Sequence, residues 1–250
     1  MDATADLRKP ARVLRGDAVP TIGQWLQRGW GDLKSNLGVS LAYGGFLAVI
    51  GWAVLYVLTA TGQGWMILPA LAGAMLLGPV ATVGLYRISR RRMGLGGGGV
   101  AAPGQIFLVS VVLMVLALTW IRAATLLFAV FFGLRPFAGF AETLQTLFAT
   151  PEGIALFVVG SCVGGLFAAL GFAIAAFSLP MLVHRDIDGF SAMGLSFSAT
   201  TRNFRLALLW GATVTVMIGL SVLSGLILLI PLFPLLGYAT WHAYADLFEG

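Results

Sequence analysis

Residues 39–60 read VSLAYGGFLAVIGWAVLYVLTA, and residues 64–92 read GWMILPALAGAMLLGPVATVGLYRISRRR. The first stretch contains no charged residue, and its length matches the roughly 20 apolar residues a helix needs to cross the hydrocarbon core of a bilayer. The second stays apolar as far as Tyr86 and then ends in Arg87, Arg90, Arg91 and Arg92. Two crossings joined by a short turn and closed by an arginine run make a helical hairpin. Working outward, the same reading finds Ile106–Phe132, Gly153–Val183, Leu206–Ser224 and Leu226–Ala245. The third and fourth stretches are too long for an upright crossing, so they must tilt, kink or end along the interface. Little more than Gly225 separates the last two, which implies a tight turn.

The expected fold is therefore all-α: a polytopic membrane bundle of about six transmembrane helices arranged as three hairpin pairs. The hairpins cover about 21–92, 104–186 and 189–246 of a single membrane domain, 21–250, behind a flexible cytoplasmic tail, 1–20. Composition agrees. The 250 residues are 59% hydrophobic and 10% charged, with a mean hydropathy of +0.94, whereas soluble domains carry about 25% charged residues. One soluble core could not hide this much apolar surface, so lipid is the expected solvent. Residues 1–38 are polar and hold six basic residues with no apolar run, so no signal peptide is expected. The single cysteine, Cys162, excludes an intrachain disulfide or a multi-cysteine metal site.

Charge placement orients the bundle, because lysine and arginine accumulate on the cytoplasmic side. With the N-terminus inside, the tail, the loop around Arg87–Arg92 and the loop holding Arg185, Arg202 and Arg205 carry 13 of the 15 basic residues. Only Arg122 and Arg135 remain outside, so both chain ends are expected in the cytoplasm. The net charge of +5 flanks spans, which makes anionic headgroups and not nucleic acid its counterpart. Thirteen of the basic residues are arginine, a bias that suits a GC-rich bacterial genome and hence the bacterial inner membrane.

Two segments outside the spans are amphipathic. Ile22, Trp25, Leu26, Trp30 and Leu33 recur at helical spacing, as do Phe190, Met193, Phe197 and Phe204. Each precedes a span from the cytoplasmic side, so Trp25, Trp30, Phe190 and Phe197 are expected to anchor interfacial helices. The plainer reading is a helix packed on the spans. The two segments also look like copies. Asn36 is followed seven residues later by Tyr43-Gly44, and Asn203 seven residues later by Trp210-Gly211. Each leads into a pair of spans whose second member carries a proline, Pro79 and Pro234; the middle pair has Pro180. This is a parallel repeat of hairpins.

Chemically useful residues are sparse. Gly94–Gly99 has dinucleotide-fingerprint spacing but follows a membrane helix, with no βαβ unit around it. His184-Arg185-Asp186 copies a kinase triplet without its context. His184 and His242 are the candidate cofactor ligands, set against a plainer role as interfacial residues. Arg122 is the candidate intramembrane charge, with Glu152 as a possible partner; snorkelling to the headgroups is its plainer role. No carboxylate falls near a span's middle, which argues against a proton-coupled pump. Gly160, Gly164, Gly165 and Ala168 form a small-residue face for close helix packing, within the chain or against a neighbouring subunit. No catalytic residue, metal site or cofactor is expected.

Gly78-Pro79 through Arg92, Thr150-Pro151-Glu152-Gly153, Ser178-Leu179-Pro180, His184-Arg185-Asp186-Ile187-Asp188 and Gly237-Tyr238-Ala239-Thr240-Trp241-His242 resemble an uncharacterised family of integral membrane proteins common in proteobacteria, a domain of unknown function. The resemblance runs from about Gly29 to Phe248. Members are sometimes labelled as similar to cytochrome c oxidase subunit I. A haem–copper subunit needs about six histidines for its metals, and this chain has two. The resemblance implies architecture and no activity. Three functions compete: a non-catalytic accessory, assembly or stabilising subunit whose partners are lipids and other membrane subunits; a transporter or channel lined by Ser110, Thr213, Thr215, Ser221 and Ser224; and, with least support, a membrane enzyme. The accessory reading is preferred. Whether Ala123–Thr150 spans or lies along the outer surface is left open by its pattern.

Overall fold

The computed structural model describes residues 10–14, 16–95, 99–133 and 140–249. Arg8, Lys9, Arg15, Arg135, Gly96, Gly97 and Gly98 lie outside the described residues. Among the described residues the regular elements are all helical. They are α1 (Ala18–Ser35), α2 (Leu37–Ala60), a 3-10 turn (Gly64–Met66), α3 (Ile67–Ala81), α4 (Val83–Arg92), α5 (Pro103–Phe132), α6 (Phe140–Ala149), α7 (Pro151–His184), α8 (Gly189–Arg202), α9 (Phe204–Leu223) and α10 (Leu229–Phe248).

Five of these stretches are long and apolar enough to cross a membrane: Leu37–Ala60, Gly64–Arg92, Pro103–Phe132, Pro151–His184 and Phe204–Leu223. The sixth expected crossing is where sequence and structure part. Residues 224–228 form the turn, with Gly225 and Leu226 both at positive φ, and α10 starts at Leu229. Its second half carries Tyr238, Thr240, Trp241, His242, Tyr244 and Asp246, polar enough to keep it out of the apolar set, and most of it is buried by other helices. The open stretch Ala123–Thr150 also resolves into parts. Residues 123–132 continue α5, while α6 has ten residues, a length of about 15 Å that is half a crossing.

The chain divides into two compact units. Unit 1 comprises Met1–Val49, Pro79–Val111 and Phe172–Gly250; unit 2 comprises Ile50–Gly78 and Val112–Gly171. Of the described basic residues, Arg122 falls in unit 2 and the others in unit 1.

Unit 1 is organised around α10. The apolar stripe of α1 (Ile22, Trp25, Gly29, Leu33) lies against it, and Leu33, Leu85, Phe233, Leu235 and Tyr238 make a common core. Close approach is possible because position 29 has no side chain: a Cβ there would stand 2.8 Å from the backbone nitrogen of Ala239. At Gly44 on α2 a Cβ would overlap the backbone of Ile230. Small residues at such crossings let helix backbones meet where lipid supplies no hydrophobic drive.

Asn36 and Asn203 occupy equivalent breaks. Asn36 separates α1 from α2 at φ −130°, ψ 40°, and Asn203 separates α8 from α9 at φ −112°, ψ 41°. Each side-chain amide donates to the carbonyl four residues back, at 3.1 Å to Asp32 and 3.0 Å to Ala199. Asn203 does more. Its Oδ1 accepts from the Leu14 backbone N–H at 2.9 Å, and its Nδ2 donates to the Arg12 carbonyl at 3.0 Å. Arg12 N–H also donates to the Leu247 carbonyl at 2.9 Å. Part of the stretch expected as a flexible tail is thus strapped across α8, α9 and the end of α10.

In unit 2, Leu76, Ala117 and Trp120 form the core, and the Trp120 indole donates to the Pro69 carbonyl at 3.0 Å. Thr150 caps α7, its Oγ1 accepting from Gly153 N–H at 3.0 Å, with Pro151 in the first helical position.

Candidate functional site

The C-terminal half of α10 gathers three carboxylates in unit 1, each bound to a positive or aromatic partner from elsewhere in the chain. Asp32 comes from the buried face of α1 and is 5% exposed. Its Oδ2 accepts from Ser89 Oγ of α4 and lies 3.0 Å from His242 Nε2 of α10. Its Oδ1 lies 2.9 Å from Arg92 Nε. A buried carboxylate is costly unless paired and hydrogen-bonded, and three donors meet that demand. Burial works against the charged form, but the hydrogen bonds from His242 and Ser89 and the charges of His242 and Arg92 outweigh it. The carboxyl is held below its ordinary range. Nearby, Ser40 and Tyr238 share a hydrogen bond of 2.8 Å.

Glu249 is the second. Its Oε1 accepts from Arg185 Nε at 2.9 Å and from a terminal guanidinium nitrogen at 2.6 Å, and from Tyr244 Oη at 2.8 Å. His184 Nδ1 lies 3.2 Å from it and 3.2 Å from Tyr244 Oη. Arg185 also donates to the Phe248 carbonyl at 2.9 Å and lies over the Phe248 ring. Burial raises the Glu249 carboxyl, yet the bonds from His184 and Tyr244 and the charges of Arg185 and His184 bring it down to about 2. Asp246 is the third, accepting from Trp25 Nε1 at 2.9 Å and pairing with Arg28 at 2.8 Å. The Trp25 ring in turn meets Trp210 edge-on at 5.8 Å.

The arrangement limits its own chemistry. In a serine–histidine–carboxylate relay the imidazole stands between hydroxyl and acid. Here Asp32 stands between Ser89 and His242, so the hydroxyl meets the carboxylate and not the imidazole. His242 Nδ1 is buried without a hydrogen-bond partner. The two histidines each face one carboxylate, and no group of three or more potential metal ligands occurs among the described residues. The hydroxyls expected to line a path turn back on their own helices. Ser110, Thr213, Thr215 and Ser221 donate to the carbonyls four residues earlier, at 2.7 to 2.9 Å, and Ser224 to the Ser221 carbonyl.

The other expected residues are scattered. Trp25 is 1% exposed and points into unit 1, so its indole faces Asp246 and not a headgroup; packing against α10 decides its direction. Trp30, Phe190 and Phe197 are exposed, Trp30 with Lys34 over its ring. In unit 2, Arg122 and Glu152 are both exposed, and no ion pair joins them among the described residues. Gly164 seats Trp120, whose ring a Cβ would meet at 2.9 Å, whereas Gly160 and Gly165 face open space and Ala168 is exposed.

Asp32, Ser89 and Glu249 were not singled out by sequence. One signal was present: Asp32 lies seven residues after Trp25 and three after Gly29, on the apolar stripe of its helix, where an acid demands a partner. The partner, 210 residues away, left no local trace.

A family model described as "Predicted integral membrane protein (DUF2189)" matches residues 67–184, from α3 to the end of α7. No curated protein and no solved structure matches the chain. The family model and the five apolar helices together identify a multi-pass integral membrane protein.

Proposed function

We propose that this chain is a non-catalytic accessory or stabilising subunit of a larger bacterial inner-membrane assembly, crossing the bilayer six times with both ends in the cytoplasm. The observation that carries the reading is the employment of its buried acids. Asp32, Asp246 and Glu249 are all engaged in tying distant helices together, and none stands ready to bind or transform a substrate. The hydroxyls Ser110, Thr213, Thr215 and Ser221 likewise donate within their own helices, which favours the accessory reading over a transport path.

The spans leave their outer faces uncovered. The most apolar windows of four of the five are only 11% to 22% buried, against 61% for Pro151–His184. On that longest helix Ser161, Gly165, Ala168 and Ala169 are exposed, giving a face where another helix can approach closely. The sixth crossing rests on α10, whose first residues, 229–236, are apolar and whose polar end is covered by α1 and α4. The bond between Arg12 and Leu247 supports a common side for both ends. Extraction in mild detergent followed by mass spectrometry tests the role: a defined set of co-purifying membrane proteins is expected, and a lone monomer with none enriched would overturn it. Reporter fusions at each terminus test the orientation separately.

A further inference from the structure

The helices that lead into α2 and α9 dock on unit 1 in the same way and differ on the side that faces outward. Gly29 of α1 lies over the Leu235 carbonyl and the Ala239 nitrogen of α10. Ser196 of α8 donates to the Ala173 carbonyl of α7 at 2.8 Å and accepts from Phe177 N–H at 3.1 Å. Gly29 and Ser196 each stand seven residues before their asparagine, Asn36 or Asn203, and each meets a backbone pair four residues apart. The repeat therefore extends to the packing. The outer faces are unlike. On α1 the exposed residues Gly23, Gln27 and Lys34 surround Trp30. The corresponding residues on α8 are Phe190, Gly194 and Thr201 around Phe197, all exposed. Phe190 is 67% exposed, Phe197 48% and Phe204, the first residue of α9, 65%.

We propose that α8 lies along the lipid surface with Phe190, Phe197 and Phe204 inserted at the headgroup–acyl boundary, while the outer face of α1 stays in water. The inner side of α8 is already covered, by α7 through Ser196 and by α5, whose Gln105 side chain accepts from Gly189 N–H at 2.8 Å. Its 14 residues are about 21 Å long, too short to cross. A helix apolar on both sides needs a second cover. Connectivity says which cover is within reach. Residues 185–188 tie α8 to the end of α7, and Asn203 alone ties it to α9; both neighbours are long and apolar enough to cross. The helix is thus held between the ends of two crossings, on one side of the bilayer. The stripe also runs on into α9: Phe204 opens that helix, and Leu208, one turn later, is exposed on the same side. Arg202 and Arg205 flank the junction, both exposed and, among the described residues, in no ion pair, as suits anionic headgroups. Exposed aromatic rings beside basic residues are what an interfacial helix presents. The inference requires only that α7 and α9 cross and is independent of the accessory-subunit reading.

The test puts a nitroxide on the full chain in nanodiscs of mixed phosphatidylglycerol and phosphatidylcholine, in a Cys162→Ala background because Cys162 is exposed. Labels on Phe190→Cys, Phe197→Cys and Phe204→Cys are compared with one on Gln27→Cys; all four positions are exposed, so no label replaces a buried side chain. Relaxation by dissolved oxygen, which concentrates among acyl chains, is set against relaxation by a polar nickel chelate, which stays in water. The oxygen-to-nickel ratio is expected to be several-fold higher at the three phenylalanine positions than at position 27. Equal ratios at all four would overturn the proposal. So would labels at 190, 197 and 204 shielded from both reagents, because protein and not lipid would then cover the stripe.

Discussion

Removing the Asp32 side chain tests whether the buried cluster holds unit 1 together. In Asp32→Ala two buried donors, Ser89 Oγ and His242 Nε2, lose their acceptor. Each orphaned buried donor costs about 1–3 kcal/mol. Arg92 adds little, because its side chain is 41% exposed and the pair is screened. The expected loss is therefore about 3–5 kcal/mol, the range for breaking a buried pair from one side. Asp32→Asn is milder. An amide oxygen in the place of Oδ2 can still accept from both buried donors, so the loss is the charge-assisted part, about 2 kcal/mol. The control is Asp186→Ala, an exposed carboxylate on the loop after α7, expected within about 0.5 kcal/mol of the parent. Unfolding by sodium dodecyl sulfate in mixed micelles, followed by tryptophan fluorescence, reads all three. Asp32→Ala and Asp186→Ala agreeing within about 1 kcal/mol would refute the reasoning, since buried donors can lose an acceptor so cheaply only if water reaches them.

Gly29→Ala places a methyl against the Ala239 backbone and is expected to cost about 1–3 kcal/mol. Gly31→Ala on the same helix, facing open space, should be neutral or stabilise by up to about 1 kcal/mol in the same titration. Asn203→Ala removes both side-chain bonds to residues 12 and 14, so limited trypsin digestion should cut after Arg12 several-fold faster than in the parent; an unchanged rate would show that the strap does not depend on that amide. Stability should also depend on acid. The Glu249 carboxyl lies at about 2 against 4.5 unperturbed, so its contribution is complete above about pH 4.5 and disappears as pH falls toward 2; Glu249→Gln should flatten that part of the pH profile.

The sequence by itself determined that the chain lives in a bilayer, that its helices are long and apolar, and that Asn36 and Asn203 stand at corresponding points ahead of a span. These properties follow from lipid, which forces each backbone polar group into a helical bond and each exposed side chain to be apolar. They are read from consecutive residues. What the sequence could not supply was any pairing between distant segments: Asp32 with His242, Arg185 with Glu249, Asn203 with residues 12 and 14. The fate of α10 is the clearest case. By hydropathy it is the poorest of the expected spans, because Tyr238, Trp241, His242 and Tyr244 face protein instead of lipid, and only the packing of α1 and α4 supplies that surface. Trp25 reverses for the same reason. Its spacing suited a headgroup anchor, and Asp246 with Trp210 drew it inward. Spacing along one helix says which residues share a face; which neighbour covers that face is a property of the folded chain alone.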